Sequence, residues 1–211
     1  MGAELTAWLR ALNLELSSLS RQEIMPTQNL LDALTQFCVD HFGAAFARIW
    51  LIDAGGKILV LASSRGQYTR LDGTRAKISI GQGSKIDKLF VEQNPHVTND
   101  VLNDPGVKDK EWAKREGFIS FAGYPLFWGG EKLGVLGMYS RQVLSNDLLL
   151  VMNVFIGLAS SVIYQHQQTE RNMNHFCQAT GFRRALLDQF IELGAERALR
   201  KRSPRETKPS E

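Results

Sequence analysis

GFISFAGYPLFWGGEKLGVLGMYSRQ, residues 117–142, holds two apolar runs of strand length joined by Gly129-Gly130. A Gly-Gly pair between such runs marks an antiparallel hairpin, because glycine adopts the positive φ that tight hairpin turns need. Tyr124-Pro125 interrupts the first run. Proline has no N–H to give to a ladder, so the strand at Pro125 is expected at an edge, bulged, or unpaired on one side.

A second hairpin is expected upstream. In AAFARIWLID (residues 44–53), Phe46, Arg48, Trp50 and Ile52 alternate with Ala47, Ile49 and Leu51, and Ala54-Gly55-Gly56 leads into KILVLASS. Both alternating sets are largely apolar, which places these strands in a sheet covered on both faces. Between the hairpins, AKISIGQGSKIDKLFVEQN reads as a short strand, a glycine-rich turn and a helix over about 85–93 capped by Ser84. His96-Val97-Thr98 suits another short strand, and the segment around Trp112 a short helix. Flanking helices complete the order. One carries Leu30, Leu34, Phe37, Cys38 and Phe42 on a single face and stops at Gly43; a long one runs from about Asn146 to at least His166. Upstream, Leu5, Leu9, Leu12, Leu16 and Leu19 form a short a/d seam suited to docking on another helix. Antiparallel hairpins within a helical frame make the fold α+β.

Composition narrows the function. With 211 residues, 44% of them hydrophobic, the chain can bury a core, and 25 basic against 22 acidic side chains are too balanced to announce nucleic-acid binding. Much of the surplus lies from Arg197 to Glu211, in a tail with Pro204 and Pro209 that is expected to be disordered. Cys38 and Cys177 share no CxxC spacing, so neither a disulfide framework nor a zinc site is expected. The most apolar stretch, residues 148–164, is 17 residues long with Asn153, Ser160 and Ser161 inside it, which fits a buried helix better than a membrane span. A soluble, cytoplasmic protein is expected.

The motifs of common enzymes are missing. GQGSK (residues 81–85) lacks the spacing by which backbone amides wrap a phosphate, although the helix start behind it has N–H groups that can orient an anion. His41, His96, His166 and His175 show no paired metal spacing, and there is no nucleophile elbow, kinase phosphoacceptor box or nucleotide-binding glycine motif. No enzymatic activity is expected.

HVTNDVLNDPGVKDKEWAKREGFISFAGYPLFWGGEKLGVLGMYSRQ (residues 96–142), above all FAGYPL and KLGVLGMYSRQ, resembles the GAF domain family, in the form found in bacterial sensor histidine kinases. FGAAFARIWLID and SRGQYTRLDG extend the likeness, which covers roughly Leu30 to Val162. It implies a central antiparallel sheet with N- and C-terminal helices on one face and a roofed ligand pocket on the other. On this basis residues 1–22 form an N-terminal helix, 23–168 the GAF domain with the start of the long helix, and 169–211 a helical extension with the basic tail. The resemblance further implies a homodimer through the terminal helices, a small-molecule ligand, and a histidine kinase or other output partner in a two-component system, with no nucleic acid or membrane as partner. The alternative is a ligand-free module for dimerisation or protein interaction.

The ligand chemistries of the family are testable on the sequence. The Asn-Lys…Phe…Asp-Glu motif of cyclic-nucleotide-binding members is absent. No cysteine occurs between Gly43 and Phe176, which argues against a covalent bilin and against methionine-sulfoxide reductase chemistry. The sequence identifies no cofactor. Candidate pocket residues are Tyr68 and Arg70 in the polar link, Asp100, Asp104, Trp112 and Arg115 in the roof segment, and Phe121 and Tyr124 on the hairpin. Each has a plainer role available: Asp104 before Pro105 as a turn residue, Trp112 as a roof anchor, Arg115 as an i,i+4 partner of Glu111. Gly134 and Gly137 leave room for a neighbouring helix.

Overall fold

The computed structural model describes residues 6–8, 10, 11, 14, 26–183, 186 and 189. The five leucines of the N-terminal seam, residues 15–25 and the basic tail lie outside the described residues. The chain divides into two compact units, Met1–His166 and Gln167–Glu211. The first unit carries the sheet.

Its elements follow the expected order: α1 (Thr27–Phe42), β1 (Ala44–Ile52), β2 (Ile58–Gly66), β3 (Lys77–Ser79), α2 (Lys85–Glu92), β4 (His96–Thr98), α3 (Lys110–Arg115), β5 (Ser120–Trp128), β6 (Glu131–Ser140) and α4 (Asn146–Thr180). The strands form one antiparallel sheet in the order β3-β2-β1-β6-β5-β4. Helix α1 ends where Gly43 turns left-handed (φ 67°), and α2 begins where Ser84 Oγ accepts the Asp87 N–H at 3.2 Å.

Pro125 is accommodated by a short neighbour. Strand β4 pairs with β5 only at Phe121, Ala122 and Gly123, so it does not reach Pro125, which is paired only with Val135 of β6. The missing N–H therefore leaves no ladder position open.

Two apolar layers flank the sheet. On one face, Ala47 and Ile49 of β1, Ala122, Tyr124 and Leu126 of β5, and Leu136 and Met138 of β6 pack against Leu34, Phe37, Met152, Phe155 and Ile163 of α1 and α4. Phe37 stacks on Phe155 with ring centroids 5.2 Å apart. Burial of each such side chain contributes about 1.5–3 kcal/mol. Cys38 is fully buried in this layer and burial pushes its thiol up, so it serves packing. On the other face, Phe46, Trp50, Phe121, Val135 and Tyr139 meet Ile86, Leu89, Val107 and Phe118 of a roof built from α2, α3 and their loops. The second apolar layer expected from the two-sided strands is thus supplied by the roof.

Helix α4 lays one face on the sheet. Leu148, Met152, Phe155, Ala159 and Ile163 are buried as one stripe, but Val151 joins them at 1% exposure. The outward stripe is Leu150, Val154 and Leu158, at 62%, 49% and 38% exposure. The helix is long and apolar enough to cross a membrane by length and composition alone, yet the buried stripe identifies it as a core helix of this fold. In the second unit, Thr180 Oγ donates to the Phe176 carbonyl at 2.7 Å and Gly181 turns left-handed. Beyond Arg183 only Leu186 and Gln189 are described, both helical.

Gly137 faces helix α2, as expected, whereas Gly134 faces the β1 backbone. A Cβ on Gly134 would stand 2.0 Å from the Trp50 carbonyl oxygen, whereas one on Gly137 would meet Ile86 and Trp50 at 3.5 Å on the roofed face. Gly134 pairs with Leu51 of β1 and, across the sheet, with Leu126 of β5, beside the register shift between Leu126 and Phe127.

Candidate functional site: a roofed cavity with unpaired guanidiniums

Between sheet and roof lies a cavity of about 600 Å³. Its floor is one alternating set of side chains from each of three strands. Phe46, Arg48 and Trp50 come from β1, Gly137 and Tyr139 from β6, and Phe121 from β5. Strand alternation sends Ala47, Ile49 and Met138 to the helices and leaves these residues to the cavity. The roof contributes Val107 and Trp112, the start of α2 adds Lys85 and Ile86, and the β2–β3 link adds Tyr68 and Arg75.

The aromatic side chains brace one another. The Trp112 Nε1–H donates to the Tyr68 hydroxyl at 3.2 Å, and the Trp112 ring lies 5.0 Å from Phe118 and 5.3 Å from Tyr139. Phe46 contacts Tyr68 edge-on at 5.0 Å and stacks on Tyr139 at 5.3 Å. The Trp50 Nε1–H reaches the Arg75 carbonyl at 2.9 Å, tying the link to the floor. Burial pushes the Tyr139 phenol up to about 12, so it stays neutral.

Charge in the cavity is mostly positive. Arg48 Nε–H donates to Ser64 Oγ at 3.2 Å, and Ser64 Oγ in turn donates to the Tyr68 carbonyl. The guanidinium carbon lies 5.3 Å from the Phe46 ring centroid and 5.8 Å from that of Tyr68. Lys85 Nζ sits 3.6 Å from the Phe121 centroid and 2.6 Å from Asp104 Oδ2.

Of the sequence-predicted residues, Tyr68, Trp112 and Phe121 converge on this cavity. Arg70 lines a shallow depression beside it and pairs with Asp72 through contacts of 2.9 and 2.6 Å. Asp104 does not line the cavity; it is 5% exposed and anchors the roof, accepting from Lys85, His96 and the Gly106 N–H. Asp100 is exposed and accepts from Asn103 in a turn. Arg115 is exposed and lies 3.7 Å from Glu116, not Glu111. Tyr124 lies on the opposite face, in the helix-packed core, because three residues separate it from Phe121 on one strand.

The N–H groups ahead of α2 are also engaged. The Asp87 carboxylate accepts from Gly81 at 2.9 Å and Gly83 at 2.7 Å, so the protein's own anion takes the N–H groups that could have oriented an external one. Sequence reasoning missed Arg48, Trp50, Arg75 and Tyr139. The signal for Arg48 was present: it is the one charge in the alternating set Phe46, Arg48, Trp50, Ile52.

A roofed six-stranded sheet of this kind has close structural counterparts. The GAF domain of a phosphoenolpyruvate-protein phosphotransferase from Coxiella burnetii superposes with a TM-score of 0.67 at 15% identity, covering 79% of this chain and 98% of that one. A free methionine-R-sulfoxide reductase from Neisseria meningitidis, solved with its substrate, gives 0.63 at 18% identity over 80% and 95%. A methyl-accepting chemotaxis protein segment gives 0.58 at 20% over 74% and 98%. At these identities the likeness concerns the fold. No curated protein sequence matches the chain significantly. A GAF domain family model matches residues 25–164, from just before α1 into α4 and including every strand and the cavity. The chain therefore belongs to the GAF domain family, whose members are signalling and sensor domains.

Proposed function

We propose that this chain is a sensor domain that binds a small molecule in the roofed cavity and signals through its terminal helices in a homodimer. The cavity itself carries this reading: about 600 Å³ remain open between aromatic walls, within the size range of small-molecule sites. A module that had abandoned ligand binding would be expected to fill that space with bulky side chains. The pocket region holds no cysteine, which supports a binding rather than a redox role. A cytoplasmic setting and a separate output partner complete the proposal.

Thermal-shift screening against metabolites tests it. A ligand at a hundred times its Kd stabilises the native state by about 2.7 kcal/mol, raising Tm by roughly 5–10 °C in a dose-dependent way. A null result across a broad panel would sink the sensor reading.

The exposed stripe Leu150, Val154 and Leu158 supports the dimer, since helical spacing aligns these side chains on one solvent-facing line. Val154→Glu with Leu158→Glu is expected to leave the fold intact and convert a dimer to a monomer in sedimentation at micromolar concentration. A wild-type monomer under those conditions would refute the dimer.

A further inference from the structure

Arg48 presents an unusual balance of constraints. Its Nε–H is held by Ser64, yet neither terminal amino group has a hydrogen-bonding partner among the described residues. No carboxylate pairs with Arg48 or Arg75 among the described residues, although both line the same cavity. Burial and the nearby Arg75 charge both lower the Arg48 pKa, marking two like charges held together without a counter-ion. The acids nearby are committed: Asp72 to Arg70, Asp109 to the Trp112 N–H at 2.8 Å, and Asp104 to Lys85.

We propose that Arg48 and Arg75 form a carboxylate-binding subsite, and that the ligand is a small organic acid with a flat, apolar body. The inference rests on the ligand-binding reading above and specifies its chemistry. With Nε–H fixed by Ser64, the two terminal amino groups of Arg48 form a pre-oriented planar fork that matches a carboxylate. A phosphate would call on backbone amides as well, and the available ones at Gly81 and Gly83 are already taken by Asp87. Beside the fork, Trp50, Trp112, Phe121 and Tyr139 offer ring surfaces to a planar body. The side chain absent at Gly137, the β6 neighbour of Arg48 in the ladder, keeps the floor open next to the guanidinium.

The test is calorimetric titration of the whole chain with benzoate and indole-3-acetate, each against its neutral amide, and with inorganic phosphate. At least one carboxylate is expected to bind about tenfold to a hundredfold more tightly than its amide, as one charge-assisted contact implies. Arg48→Met is expected to lose that preference. It should also raise or preserve the Tm of the unliganded protein, because it removes an unpaired charge; a purely structural Arg48 would lower it. Equal binding of acids and amides, tighter binding of phosphate, or an unchanged preference in Arg48→Met each overturns the subsite while leaving the cavity a binding site. Absence of binding by either carboxylate overturns it too. If the metabolite screen also finds nothing, the sensor reading falls with it.

Discussion

Asp104→Asn is expected to destabilise the domain by about 3 kcal/mol, measured as a lower midpoint of urea unfolding. Asp104 is 5% exposed and joins three separate parts of the roof. It accepts from Lys85 at the start of α2 at 2.6 Å, from His96 on β4 at 2.8 Å, and from the Gly106 N–H at 2.7 Å. Lys110 Nζ holds its main-chain oxygen as well. Removing the charge leaves the Lys85 ammonium largely buried, 11% exposed, with no carboxylate partner, and that penalty dominates. A Lys85→Met/Asp104→Asn double variant should therefore lose less than the sum of the two single changes, with a coupling of about 1–3 kcal/mol. Strict additivity would show that the pair does not act as a unit. The same carboxyl predicts an acid limb. Burial pushes its pKa up, but the Lys85, His96 and Gly106 donors outweigh burial and hold it at about 2, below the ordinary 3.8. A depressed carboxyl contributes stability that is complete above the unfolded value and lost as pH falls through the folded one. About 2 kcal/mol should accordingly disappear between pH 3.8 and pH 2, and the loss should be absent in Asp104→Asn.

Local and periodic signals were the legible ones. The alternation of β1 with both faces apolar called for two covering layers, and both exist. Gly43 and Ser84 marked helix ends because each solves a backbone problem that is visible in a few residues. The errors arose where a residue was judged by type instead of by position. Phe121 and Tyr124 were grouped as aromatic, yet an odd separation along a strand sends them to opposite faces. Arg48 stands as the one charge in its alternating set, but with both sets apolar the sequence does not say which of them faces the roof. Arg75 carried no local signal. It enters the cavity because Leu61 N–H and Trp50 Nε1–H anchor the backbone of residues 75 and 76 from distant strands. For Asp104, expected as a pocket residue, the plainer turn role is the one that holds, since the Gly106 N–H closes onto its side chain. That Lys85 and His96 also converge on it depends on how the roof folds back over the sheet.

Gly134→Ala is expected to cost about 3 kcal/mol and lower Tm by roughly 10 °C, because the obstacle is backbone. The added Cβ would lie 2.0 Å from the Trp50 carbonyl oxygen and 3.0 Å from Leu51 Cα, so β1 and β6 must separate where Gly134 pairs with Leu51. Rotamer changes in neighbouring side chains cannot relieve that contact. Gly137→Ala is the matched control. It adds the same methyl to the same strand, but the nearest atoms are side-chain carbons of Ile86 and Trp50 at 3.5 Å, an ordinary contact. Its effect should stay within about 0.5 kcal/mol. Comparable Tm losses for the two variants would show that general strand preference, rather than the close approach of β1, governs these positions. The contrast bears on function, because both glycines belong to β6, the strand that carries Gly137 and Tyr139 into the cavity floor. Gly134 lets β6 close against β1, which sets Trp50 and Arg48 in the floor. Gly137 leaves the space beside them empty. Three residues apart on one strand, the first glycine is needed for the sheet to form and the second for the sheet to hold a pocket.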